Sequence, residues 1–119
     1  MIDSKDIARL LKILSIETRV KMLNLLKCRA LCVNALAAQL AITPGAVSQH
    51  LRIMRDAGLV IDEKHGYYVH YRLNEKTLVV WREAVEKLLN PKSGIETTKK
   101  GNPKCAAVMK NKAVKNRKT

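Results

Sequence analysis

The sequence predicts a mainly α-helical domain of five helices with one small two-stranded β-hairpin. Three observations carry this. Apolar residues recur with a helical period up to Ala57, the period drops to two after Gly58, and a helical pattern returns after Asn74. The length of 119 residues suits a single compact domain. We place it at residues 1–90 and expect 91–119 to be a disordered tail.

Each element has its own signals. Ile7, Leu10, Leu11 and Leu14 make one apolar stripe, predicting a first helix from Ser4 to Leu14. A second follows from Glu17 to Lys27, where Met22, Leu25 and Leu26 share a face and Glu17 suits the positive end of the helix dipole. Cys32 to Leu40 reads as a short third helix through Val33, Leu36, Ala37 and Leu40. Thr43 then caps a fourth, with Pro44 at the first helical position, where a missing N–H costs nothing. Gly58 ends it by accepting a left-handed backbone. Leu59–Lys64 and Tyr67–Leu73 alternate as strands with His65-Gly66 as the turn, and Val69, Tyr71 and Leu73 fall on one face. Asn74 caps a last helix running to Leu89, before Asn90-Pro91.

Composition narrows the function. The core must be aliphatic, since the chain has no Phe and one Trp. No apolar run approaches the roughly 20 residues that span a bilayer. Asp3, Lys5, Asp6 and Arg9 stand where a signal peptide would be apolar. A soluble, cytoplasmic protein with no membrane partner is expected. The net charge of +13 points to a polyanion, and the tail contributes heavily: residues 91–119 hold nine of the 23 Lys and Arg and only Glu96 as an acid. Three cysteines are an odd number for a disulfide framework, so Cys28, Cys32 and Cys105 are expected to be free thiols or ligands.

Two short helices joined by a tight turn and followed by a hairpin form a winged helix-turn-helix, whose second helix reads DNA. On that helix Val47, Leu51 and Met54 face inward, while Gly45, Ser48, Gln49, Arg52 and Asp56 gather opposite. Gln and Arg are the side chains that pair with adenine and guanine edges in a major groove, and Thr43 at the helix start suits phosphate. His50 is either a DNA contact or a satisfied, partly buried histidine. Lys64 and His65 at the hairpin tip are assigned to DNA. Leu78, Trp81, Val85 and Leu88, spaced three or four apart on the last helix, have no core of their own in so small a domain, so they are assigned, together with Leu10, to a homodimer interface, and the dimer implies a twofold operator on double-stranded DNA. No phosphate-binding glycine loop, nucleophile–base arrangement or spaced carboxylate pair supports an enzyme.

The stretches "LSIETRVKMLNLL", "ALCVNALAAQL", "GAVSQHLRIMRDAGLV" and "GYYVHYRL" resemble the arsenic-repressor (ArsR/SmtB) family of winged-helix metalloregulators. The resemblance covers residues 10–73. It implies a dimeric repressor that leaves its operator when an inducer binds. The family's sulfur site has a Cys-Val-Cys motif at the start of the third helix, and here that stretch reads Cys32-Val33-Asn34. Cys28 is a substitute partner, and Cys105 is the remaining sulfur. Such thiols would take arsenite, antimonite, cadmium or another thiophilic ion as inducer. Alternatives are a thiol redox or persulfide sensor, and a nonspecific DNA-coating protein. A zinc site on the last helix is disfavoured because that helix has no His, and His65 and His70 offer no acidic or thiol partner at ligand spacing.

Overall fold

The structure is a computed structural model, and it describes residues 2–92. The assignments made for residues 93–119, Cys105 among them, lie outside the described residues. Five helices and three short strands follow in the order α1 (Ser4–Ile13), α2 (Glu17–Leu26), β1 (Leu31–Cys32), α3 (Val33–Leu40), α4 (Pro44–Asp56), β2 (Val60–His65), β3 (Tyr68–Leu73) and α5 (Glu75–Leu89). This is the winged helix-turn-helix architecture. Everything up to Arg82 forms one compact unit, and the chain from Glu83 belongs to a second.

Capping side chains set the helix starts. Asp3 Oδ1 accepts from the Asp6 N–H at 2.9 Å, and Thr43 Oγ1 accepts from the Ala46 N–H at 3.1 Å. Asn74 Oδ1 does the same for Thr77 at 3.4 Å. Between α3 and α4 the chain reverses through Ala41, a residue with a Cβ held at φ 57°. That left-handed conformation lets the turn take only three residues, Ala41 to Thr43. It costs an alanine about 1 kcal/mol.

The sheet is antiparallel in the order β1-β3-β2, so the expected two-stranded hairpin gains a third strand. Leu31 pairs with Tyr71 and Cys32 with His70. Pairing on the other side runs from Val60–Leu73 to His65–Tyr68. The turn is therefore Gly66-Tyr67 and not His65-Gly66. Gly66, at φ 65°, holds the first turn position, where a primed hairpin turn demands positive φ.

The core is a cluster of Met22 and Leu26 from α2, Leu36 and Ala37 from α3, Val47, Leu51 and Met54 from α4, and Leu31, Leu59 and Val60. One charged residue is buried among these apolar stripes: Arg19 of α2, only 8% exposed.

Candidate nucleic-acid interface

α4 presents two opposed faces. Val47, Leu51 and Met54 are at most 1% exposed, while Gly45, Ser48, Gln49, Arg52 and Asp56 are all exposed. The apolar stripe holds the helix down, and its spacing turns the polar set outward. Ser48, Gln49 and Arg52 form no side-chain hydrogen bond or ion pair among the described residues, which leaves their donors and acceptors free for a ligand. A Cβ on Gly45 would meet only Thr43 Oγ1, at 4.0 Å. No close packing within the chain requires glycine there, and its lack of a side chain permits close approach from outside.

The wing is braced against α4. Arg55 Nη1 reaches Asp62 Oδ2 of β2 at 3.6 Å. Across the hairpin Arg72 Nε donates to Glu63 Oε2 at 2.6 Å, and Glu63 Oε1 lies 3.5 Å from His65 Nε2. Arg72, and secondarily His65, hold the Glu63 carboxyl below the usual carboxylate range. Lys64 and His65 are exposed as assigned, and Tyr67 at the tip is 100% exposed. From the sequence Tyr67 is a further candidate at the tip beside Lys64 and His65, and the ladder puts it in the turn itself.

His50 sits at the flank of α4, half-buried, and its Nδ1 accepts from Arg19 Nε at 3.1 Å. Of its two sequence readings the structure supplies the internal one, a histidine with a partner. Burial, and then the charge of Arg19, push its pKa below the ordinary histidine value.

The thiols present a mixed picture. Cys28 is exposed and Cys32 half-buried, and both are free. Cys32 is the N-cap residue of α3 without a capping hydrogen bond from its side chain. Strand pairing sets it opposite His70, which is itself opposite Glu63. Paired residues share a face of a sheet, so the three lie in one row, with neighbouring Cβ atoms about 5 Å apart. His70 Nδ1 is sealed from solvent and has no hydrogen-bond partner among the described residues. The expectation that the hairpin histidines lack acidic or thiol neighbours is thus corrected: β1, absent from the sequence reading, brings Cys32 to His70, and Glu63 reaches His65. No three His, Cys, Asp or Glu side chains converge on one ion position among the described residues. Cys32 and His70 bring one sulfur and one nitrogen donor side by side, and no third donor joins them at one ion position among the described residues.

The proposed dimer residues divide. Leu10 is 4% exposed and buried within its own protomer, so Leu11, at 42%, is the leucine that α1 leaves open. Leu78 and Trp81 are half-buried and pack against the protomer's own core, whereas Val79 and Val80 of α5 are exposed. The sequence reading gave Leu78 and Trp81 no core of their own, and the structure supplies one. Beyond Glu83, Val85 is half-buried and Leu88 exposed.

No described helix is long and apolar enough to cross a membrane. Residues 17–62, which span α2 to the first half of β2, match a family described as bacterial regulatory protein, arsR family. The arsenical resistance operon repressor of Escherichia coli (strain K12) is 42% identical over 67 residues, 56% of this chain and 57% of that protein. The arsenical resistance operon repressor of Staphylococcus xylosus is 32% identical over 74 residues, 62% of this chain and 71% of that protein. A solution structure from Mycobacterium bovis, described as a homodimeric winged helix-turn-helix DNA-binding domain, superposes with a TM-score of 0.56 at 26% identity. That superposition covers 71% of this chain and 82% of the Mycobacterium domain.

Proposed function

Since the chain belongs to the arsR family of bacterial transcriptional regulators, which are DNA-binding proteins and not enzymes, we propose that it is a homodimeric, sequence-specific repressor that leaves operator DNA when a thiophilic inducer binds at Cys32. The observation that carries the DNA reading is the outward face of α4, where Ser48, Gln49 and Arg52 stand exposed and unpaired among the described residues. Gln49 and Arg52 read base edges in the major groove, Thr43 and the start of α4 meet phosphate, and Lys64, His65 and Tyr67 of the wing reach the flanking backbone or minor groove. A twofold dimer then engages two half-sites about one helical turn, or a multiple, apart. The S. xylosus and E. coli relatives, named as arsenical resistance operon repressors, support the repressor role.

Cys32 is both the N-cap of α3 and a residue of β1. A bond to its sulfur therefore acts on the helix that braces α4 and on the strand that holds the wing. A bound soft ion supplies the linkage between donors that otherwise stand apart. The mixed donors beside Cys32 favour cadmium over arsenite, whose all-sulfur ligation needs Cys28 and Cys105 as well.

The test is release of DNA from the full-length protein, titrated with arsenite, antimonite, Cd(II) and a persulfide donor, on wild type and on each single Cys→Ser variant. Release by an ion, lost in Cys32→Ser, is expected. Release by the persulfide alone makes the protein a redox sensor, and wild-type responses in all three variants refute a thiol site.

A further inference from the structure

The apolar stripe of α4 fixes its depth in the core, but apolar packing is non-directional and tolerates small rotations of a helix about its axis. Reading bases does not tolerate them, because Gln49 and Arg52 must meet hydrogen-bond partners in register. Directional contacts from the rest of the chain to α4 are few. Among the described residues the side-chain ones are the Thr43 cap on the Ala46 N–H at its start, the Arg55–Asp62 ion pair near its C-terminus and the Arg19–His50 hydrogen bond in its middle. The last adjoins the reading residues, with Gln49 next to His50 and Arg52 two positions on.

We propose that Arg19 is a positioning residue for DNA reading, which fixes the rotation of α4 through His50 and ties it to the end of α1. Three elements meet at its guanidinium: Arg19 projects from α2, Nε donates to His50 Nδ1 at 3.1 Å, and Nη1 donates to the Ile13 carbonyl at 3.1 Å. Arg19 lies on the same stripe of α2 as Met22 and Leu26, so the fold buries a charge where an apolar side chain would pack more cheaply. A rigid planar fork with donors on several edges joins two helices at fixed angles, which an aliphatic side chain cannot do.

The contact also fixes the chemistry of His50. An imidazole nitrogen that accepts a hydrogen bond carries no proton, so the proton of the neutral ring is on Nε2. Protonation at Nδ1 replaces the acceptor by a donor facing a guanidinium that cannot give up its charge. Arg19 of α2 is the charged group acting on the ring, α1 contributes only the Ile13 carbonyl to the junction, and no carboxylate of α1, α2 or α4 hydrogen-bonds either partner among the described residues. Nothing there offsets the repulsion. The bond is intact while His50 is neutral and is lost as acid protonates the ring, below the ordinary histidine range because burial and Arg19 both resist that proton.

This proposal rests on α4 being the reader, and the experiment separates the two. The quantity is the ratio of affinities for a duplex selected from a random pool by the wild-type protein and for an unselected duplex, since the ratio cancels charge effects common to all DNA. It is followed from about pH 8 to about pH 4, through and below the ordinary histidine range. In wild type the ratio falls as the pH drops. In His50→Asn, whose Oδ1 replaces Nδ1 as an acceptor and does not titrate, the ratio stays near its neutral value throughout. Arg19→Gln lowers the ratio by roughly tenfold at neutral pH, the effect of one ordinary hydrogen bond, and meets the wild-type curve in acid, where the wild-type bond is already lost. An acid limb in His50→Asn identical to that of wild type overturns the proposal, whether or not Arg19→Gln folds. So does a folded Arg19→Gln with the wild-type ratio. If Gln49→Ala abolishes the ratio while His50→Asn follows the wild-type curve, only the role of Arg19 fails. If Gln49→Ala leaves the ratio unchanged, α4 is not the reader and both readings fall.

Discussion

Leu51→Ala and Gln49→Ala perturb opposite faces of α4, two residues apart, and the structure gives them opposite outcomes. Leu51 is 1% exposed within the core cluster. Cutting it to alanine removes three carbons, worth about 2.4 kcal/mol at about 0.8 kcal/mol for each. A residual cavity of about 50 Å3 adds about 1.2 kcal/mol. The expected loss is about 3.5 kcal/mol, a large part of the roughly 5–15 kcal/mol that holds a domain together. Gln49 is exposed and unpaired, so its truncation should stay within about 0.5 kcal/mol. The assay is urea unfolding followed by helical circular dichroism. With an m-value of about 1 kcal/mol/M, the Leu51→Ala midpoint falls by about 3.5 M and that of Gln49→Ala barely moves. A Leu51→Ala cost under about 1 kcal/mol, or a Gln49→Ala cost above about 2 kcal/mol, would mean that α4 is rotated from the orientation described, and its polar face could not be the reading face.

Further outcomes follow from the same geometry. Charge placed on the open apolar residues of the terminal helices, as in Leu11→Glu or Val80→Glu, should shift the protein toward monomer in sedimentation velocity at micromolar concentration. A monomeric wild type, or variants that stay dimeric, removes α1 and α5 from the interface. Deleting residues 91–119 removes nine basic side chains and one acidic one, so affinity for all DNA should drop and its dependence on salt should flatten. An unchanged salt slope would take the tail off the DNA.

Much of the fold was legible because its signals are local. Thr43 followed by Pro44 marks the start of α4, Gly58 marks its end, and the stripe of Val47, Leu51 and Met54 fixes which face is buried. The polar face followed by subtraction. What was missed depends on partners remote in sequence. β1 is two residues long and carries no alternation, so only its pairing with β3 reveals it, and with it the neighbourhood of Cys32 and His70. Arg19 finds His50 at a separation of 31 residues, and an arginine on a helix is ordinarily read as solvated. The hairpin turn slipped by one position because Tyr67 is bulky where turns favour small residues, while the ladder from Val60–Leu73 outward decides the register. Leu78 and Trp81 looked unpartnered because periodicity reports a stripe without saying what covers it.

Sequence reading by α4 is tested most directly by the affinity of Gln49→Ala and Arg52→Ala for the selected duplex and for random DNA at one salt concentration. Each variant should lose about 1–3 kcal/mol on the selected duplex, roughly five- to 150-fold, with a much smaller change on random DNA, so that preference collapses while general affinity survives. Equal losses on both duplexes would make these residues contributors to nonspecific attraction alone, and no loss on either would place the reading surface elsewhere on the protein.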